Sequence, residues 1–516
     1  MTQHLVTNTL AIAACLLMMG PLGVVAESNP AVVIDVGSRK QLFIDDRFIA
    51  SSRGVEMVMN RPYRDGQVLL AADQPWEQGH FIGVYSSVLK EQGKVKIWYD
   101  LRRPSPGGPY DYELRVCYAE SENGIDFSKP QLGLHEVDGS TANNVVMPGI
   151  NGGCSVWIDP HAPPHERYKN QAKVYPSGQF HMHSSPDGLR WKLFAKLEPG
   201  PGGWDTQSVV FWDPVPQRYA LYTRRWFRKE PAIESYRTVR RLESDDLRNW
   251  DNQSIVMEAD EIDLATHKTP TGQPPVDYYG ADVFKYSEAE DVYVMLAQAF
   301  WHWSERKPDE GPVGVDRSGH LGPSTFDVRL AVSRDGKRFQ RAGNRKPFLA
   351  TGAEGQFDSR FVWAMPHPVR MGDSLWFYYV GGNRDHDFII DASANGRHLT
   401  GISRAVLRLD GFVSVDADYT GGEITTPPIR FAGNRLELNV ETSGGGSVLV
   451  EMLDENQQPL PGYSKADAHA VQGDSVRMPV RWKTTDDVSR HADRSVRLRF
   501  HMQDCKLYAF QFSNGR

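Results

Sequence analysis

Several things are scarce in this sequence, and each scarcity excludes something. There is no block of like charge: 58 Lys and Arg stand against 65 Asp and Glu, interspersed, for a formal net charge of −7. A nucleic-acid partner or an anionic membrane surface calls for a basic stretch, so neither is expected. Long amphipathic helical patterns are rare, while Gly (46), Pro (33) and Trp (13) are plentiful, which favours an all-β chain. Cysteines number four among 516 residues. Cys117, Cys154 and Cys505 lie beyond the leader, and an odd, widely spaced set is no disulfide framework. They read as buried small apolar residues.

Only one sizeable apolar run is present, and it sits at the N-terminus. Leu10-Ala-Ile-Ala-Ala-Cys-Leu-Leu-Met-Met-Gly20 is too short to span a bilayer comfortably, and Val24-Val25-Ala26 offers small residues before a cut. Residues 1–26 are therefore read as a secretory signal, which makes the protein secreted or periplasmic. A lipoprotein cut at Ile12-Ala-Ala-Cys15 fits less well, because the apolar run continues past Cys15. No membrane span, cofactor or metal is expected. His181 with His183, and His161 with His165, have no Cys or acidic partner at zinc-site spacing.

What the sequence does have is a unit repeated five times. Its clearest copy opens Trp204-Asp-Thr-Gln-Ser-Val-Val-Phe-Trp212, turns through Asp213-Pro-Val-Pro-Gln217 and returns as Arg218-Tyr-Ala-Leu-Tyr-Thr223. The other copies begin near Phe81, Cys154, Tyr278 and Phe361. The period, on the order of 60 to 90 residues, suits four-stranded blades with loop insertions. Third strands end in Ser-x-Asp-Gly-x-x-aromatic, as in Ser185-Pro-Asp-Gly-Leu-Arg-Trp191 and Ser333-Arg-Asp-Gly-Lys-Arg-Phe339. Asp-Gly supplies the positive φ of a two-residue turn, so Asp187, Asp335 and Asp410 are read as structural. The same holds for Asp159-Pro160 and Asp213-Pro214. Asp45-Asp46 reads as a turn, with a carboxylate near the axis as the alternative. From about Gly421 the strands alternate polar and apolar residues, the pattern of a β-sandwich.

Five such units, the turn signature and an all-β tail resemble the five-bladed β-propeller glycosidases of the invertase, arabinanase and levansucrase type. The resemblance is strongest to secreted, invertase-like bacterial proteins akin to glycosyl hydrolase family 32. It implies an all-β fold: a five-bladed β-propeller over residues 27–420, followed by a C-terminal β-sandwich over 421–516. The family's Asn-Asp-Pro-Asn, Arg-Asp-Pro and Glu-Cys motifs are absent, so its catalytic carboxylates cannot be carried over residue by residue.

Positional logic supplies candidates instead. In a propeller the heads of the first strands converge on one axis, and sites gather where strand ends meet a concavity. Four heads offer an acid: Glu77, Asp205, Asp277 and Asp358. Cleavage of a glycosidic bond needs two carboxyl groups, which makes these the catalytic candidates, with Asp205 first and Asp358 second. His80, Gln207, Arg224, Trp303, Arg360 and His386 are the candidate sugar-binding residues. The stretch from Trp301 to Pro323 reads as a long loop over the channel mouth. The expected function is hydrolysis of a plant or algal glycan, with a non-catalytic glycan-binding propeller as the alternative.

Overall fold

In the computed structural model, residues 32–104, 112–174, 179–197, 206–229, 233–267, 269, 274–303, 324–383, 385 and 400–515 are described. Four short strands lead: β1 (Ile34–Gly37), β2 (Gln41–Leu42), β3 (Ser51–Arg53) and β4 (Val55–Met59). Blade 1 has β5 (Phe81–Ile82) and β6 (Ser87–Glu91) as its inner edge, then β7 (Lys94–Pro104), β8 (Tyr112–Ser121) and β9 (Val145–Pro148). Blade 2 is β10 (Ile150–Ile158), β11 (Tyr168–Val174), β12 (Gln179–Ser185) and β13 (Lys192–Leu197). Blade 3 is β14 (Val209–Asp213), β15 (Arg218–Lys229), β16 (Ile233–Ser244) and β17 (Asp251–Met257). Blade 4 is β18 (Val276–Lys285), β19 (Tyr293–His302), β20 (Ser324–Ser333) and β21 (Gln340–Arg341). Blade 5 sets β22 (Phe361–Ala364) and β23 (Val369–Met371) on β24 (Ser374–Gly382), with β25 (Thr400–Arg408) outside.

The five blades close into a ring. Its proof lies in the apolar packing, because each blade buries a face on the next. Trp98 and Val116 of blade 1 meet Val156 and Tyr168 of blade 2. Trp157 and Met182 meet Val210 and Leu221 of blade 3. Val209 and Tyr222 meet Tyr278 and Met295 of blade 4. Val294 and Leu330 meet Val362 and Phe377 of blade 5. Trp363 and Tyr378 return to Ile97 and Tyr99 of blade 1. The chain entering blade 1 also covers the open edge of β25, where Tyr63 pairs with Val406 and Leu70 with Ile402.

Polar stitches reinforce three of these junctions, and they explain the repeated turn. In the turns after β8, β12, β16 and β20 a serine hydroxyl accepts the N–H three residues on, at 2.9 Å each. Asp187 and Asp335 each accept two further backbone N–H groups, as a structural role requires. The turn is longer than a two-residue hairpin, because its glycine carbonyl must reach the neighbouring blade. Trp98 donates to the carbonyl of Gly188, Tyr222 to that of Gly336 and Tyr378 to that of Gly124, at 2.6, 2.6 and 2.7 Å. The strand-end acids serve likewise: Tyr219 donates to Asp159 and Tyr293 to Asp213.

Two expectations need correction, and the reading of Asp45 as a turn residue holds. The propeller does not begin at residue 27 or run to 420. β3 pairs with β27 (Gly422–Thr425), and β4 pairs with β26 (Val413–Ala417), all in the C-terminal sheet. The hydrophobic pattern of β1–β4 shows that they need a partner, not that the partner lies almost 400 residues away. The first strand of blade 1 is broken rather than continuous. Gly83 passes so close to Asp100 that a Cβ there would lie 2.5 Å from its carboxylate. Asp45 is no axial acid, because it caps a short 3₁₀ turn and pairs with Arg334 at 2.7 Å.

The C-terminal β-sandwich sets a large curled sheet and a separate two-stranded sheet around one core. β28 (Ile429–Phe431) pairs with β1, and β29 (Arg435–Leu453) runs beside β31 (Arg497–Ser513) for its whole length. The other edge of β31 takes β27, β26 and β2 in turn, while β30 (Asp474–Pro479) extends β29. Phe43, Phe48, Phe500, Phe510 and Trp482 fill the interior. Cys117, Cys154 and Cys505 are buried free thiols.

The stitch makes a measurable claim. Gly188 has φ +79° and a Cβ there would lie 2.6 Å from the Trp98 ring, whereas Gly149 has φ +70° and open space. Gly149→Ala should cost only the left-handed backbone penalty, about 1 kcal/mol. Gly188→Ala should cost at least about 2 kcal/mol in chemical denaturation, because it also breaks a packed junction.

Candidate functional site

At the centre of the ring lies Gln207, just ahead of β14 and 2% exposed. Its amide N–H groups donate to Ser86 of blade 1 at 2.7 Å and to Cys154 of blade 2 at 2.8 Å. Its carbonyl accepts from Trp363 of blade 5 at 3.3 Å. Gly280 of blade 4 lies against the adjacent Thr206, with room for no larger side chain without a shift. One side chain from blade 3 therefore ties three other blades together. Gln207 is a hub, with both amide N–H groups and its carbonyl engaged by other blades.

Beside this hub, aromatic rings and arginines alternate. Tyr85 and Tyr279 both meet Trp363 edge-on, each at 5.6 Å. Arg102 lies over Tyr85, and Arg224 lies over both Tyr279 and Trp226. Arg237 is packed most tightly, at 4.3 Å from Trp226, 4.6 Å from Tyr279 and 5.0 Å from Phe300. A flat guanidinium between flat rings is held in place without losing its charge. Trp226 is 36% exposed and Trp303 37% exposed. Trp303 stacks on His267 at 4.8 Å and on Trp301 at 5.7 Å, and donates to Thr325. Trp226 thus marks the exposed blade 3 end of the cluster, while Trp303 belongs with Trp301 and His267.

Two buried carboxylates are tied to its arginines, and their pKa values are displaced in opposite directions. Asp277 heads β18 and is 1% exposed. Its Oδ2 accepts from the Arg237 backbone at 3.1 Å and from the Arg237 guanidinium at 3.0 Å. Burial pushes this carboxyl up, but Arg237 and His302 outweigh burial and hold its pKa below the ordinary aspartate value. Asp100, on β7 and 2% exposed, goes the other way. Arg102 holds its Oδ2 at 2.5 and 2.8 Å, its Oδ1 is enclosed without a partner, and burial outweighs Arg102 to raise its pKa. Asp100 adjoins the hub, since its backbone N–H points to Ser86 Oγ at 3.4 Å.

Other expected residues are placed elsewhere. Glu77 lies in a 3₁₀ turn, Pro75–Glu77, rather than at the axis. It accepts from Tyr99 at 2.5 Å, Lys129 at 2.5 Å and the backbone N–H groups of Asp73 and Gln74. Four donors saturate it, so it anchors the entry to blade 1. Asp358 accepts from Arg64 and Tyr379, both at 3.0 Å, and so fastens the closing segment to blade 5. His80 sits with Arg103, Arg115, Glu113 and Asp138 on blade 1, beside a cavity of about 350 Å³. Burial, then Arg115 and Arg103, push its imidazole below the ordinary value. Arg360 approaches Glu354 at 3.4 Å, and its backbone bridges Phe326 and Gly382. Asp205, His386 and residues 304–323 lie outside the described residues.

Asp100 and Arg237 were missed by reasoning from strand heads, because both lie on second or third strands. The available signal was a charge inside an otherwise apolar strand, as in Val95-Lys-Ile-Trp-Tyr-Asp-Leu-Arg102.

No protein-family model matches the chain, and a search of curated proteins returns no match. Solved structures with a similar fold include a β-1,2-mannobiose phosphorylase from Listeria innocua in complex with β-1,2-mannobiose. It is 12% identical, with 69% of this chain and 98% of that one covered at a TM-score of 0.43. A glycosyl hydrolase from Bacteroides ovatus is 13% identical, with 72% and 97% covered at a TM-score of 0.41. A member of a mannoside phosphorylase family, described as containing hydrolases that target β-1,2 mannosidic linkages in Candida mannan, is 12% identical, with 72% and 97% covered at 0.40. The five-bladed propeller architecture stands on the chain's own strand pairing and blade-to-blade packing.

The hub and the saturated acid can be separated from the arginine cluster by experiment. Gln207→Leu strands two buried carbonyls and should destabilise the protein by about 2–5 kcal/mol. Glu77→Gln removes the buried acid partner of Lys129, which keeps the exposed carboxylate of Asp73 at 2.8 Å, and should cost about 1–3 kcal/mol in urea unfolding. Glu77→Gln should leave ligand affinity of the folded fraction unchanged.

Proposed function

We propose that this chain is a secreted glycoside hydrolase that cleaves glycosidic bonds of a plant or algal glycan beside the hub. The observation that carries this reading is the cluster beside the hub, in which Trp226, 36% exposed, is packed on Arg237, and Arg237 holds the buried carboxylate of Asp277 at 3.0 Å. The charge on Asp277 is suited to support removal of a proton from the attacking water. Trp226 offers exposed surface against which sugar rings pack, and the guanidinium of Arg237 stands beside it to orient them. The N-terminal apolar run and the small residues before Glu27 support secretion.

A second reading, glycan binding without turnover, is favoured by the full commitment of Glu77 and Asp358 to structural partners. The two are told apart by incubating the purified protein with a panel of glycans, with and without inorganic phosphate, and measuring released sugar. Turnover that falls about 10²- to 10⁴-fold in Asp277→Asn, with the fold retained, is the expected result. Binding in calorimetry with no product from any glycan would establish the second reading instead.

A further inference from the structure

Asp277 is too deeply buried to meet a sugar. Its Oδ2 is occupied by Arg237, and its Oδ1 is enclosed with no hydrogen-bond partner among the described residues. The group facing that oxygen is His302, at the end of β19 and 7% exposed. Its Nε2 stands 3.7 Å from Asp277 Oδ1 and is likewise enclosed without a partner. Two unsatisfied polar atoms, one able to donate and one able only to accept, thus confront each other across less than the width of a bridging water. A shift of about 1 Å joins them in a charge-assisted hydrogen bond.

Everything else about the ring fixes its direction. His302 N–H donates to the Pro275 carbonyl at 3.0 Å, and its own carbonyl is bonded to the His267 ring at 2.8 Å. Phe300 packs on the imidazole at 4.2 Å. With Nε2 committed to Asp277, the other nitrogen, Nδ1, lies on the opposite side of the ring. Nδ1 makes no hydrogen bond among the described residues and is not one of the enclosed unbonded atoms.

We propose that His302 is the catalytic base of this site and that Asp277 is its positioning residue, a carboxylate that never touches substrate. The inference rests on the glycosidase reading and deepens it. In the step assigned, His302 Nδ1 takes a proton from water, and the water oxygen bonds to the anomeric carbon. The bond from that carbon to the leaving oxygen breaks, and that oxygen takes a proton from solvent. Asp277, accepting from Nε2–H, fixes the tautomer that leaves Nδ1 bare and stabilises the imidazolium that forms. Solvent then removes the proton on His302.

Two measurements test this. On whichever glycan is turned over, His302→Gln should lower kcat about 10²- to 10⁴-fold while KM stays within about threefold. Independently of any substrate, ¹⁵N-histidine NMR should find His302 as the Nε2–H tautomer in the native protein and as Nδ1–H in Asp277→Asn, where the amide can donate. Full kcat in folded His302→Gln, or an Nδ1–H tautomer in the native protein, overturns the assignment and leaves the glycosidase reading standing. If no glycan is turned over, the glycosidase reading falls, and the tautomer measurement still decides whether Asp277 orients His302.

Discussion

One primary amide holds the centre of this molecule. Gln207 reaches from blade 3 to backbone carbonyls of blades 1 and 2 and to the indole of blade 5. Each hydrogen bond contributes only about 1 kcal/mol net. Their importance is geometric, because inner strands that approach one axis leave buried polar groups that no strand ladder satisfies. A side chain with two donors and one acceptor, placed where four blades meet, resolves them together. Asp100 and Trp363 take their positions directly from that contact, and Tyr279 takes its position from Trp363.

Around the hub, charge is paired with flat surfaces rather than with solvent. Arg237 is packed among three aromatic rings and bonded to Asp277, and Arg102 is bonded to Asp100 over Tyr85. Buried pairs of this kind contribute little to stability, since desolvation offsets most of the attraction. They do displace the two acids in opposite directions. The balance tips differently at the two acids: two partners outweigh burial at Asp277, while one falls short at Asp100.

Much of the ring was legible in the sequence, because it is written in local rules. The Ser-x-Asp-Gly turns, the strand alternation and the five copies need no distant partner to be recognised. The sites of failure share a cause, namely contacts between residues far apart in the chain. The head of each first strand could be found, but the direction of its side chain could not. Gln207 turns inward to other blades, and Asp358 turns to Arg64 in the closing segment. Glu77 was misplaced despite a usable signal. Pro75 after Gln74, with Glu77 three residues on, is the start of a capped turn rather than a strand. β1–β4 were given to the propeller for the same reason that Asp100 was overlooked. Their partners are set by how the chain returns, and sequence patterns report only that a face must be covered.

Where a glycan sits is the question on which the account turns, and a crystal structure of Asp277→Asn with a bound oligosaccharide answers it most directly. The account predicts sugar rings against Trp226, with an anomeric carbon beside His302. An oligosaccharide seated instead beside His80 on blade 1, or on the C-terminal sandwich, would contradict it.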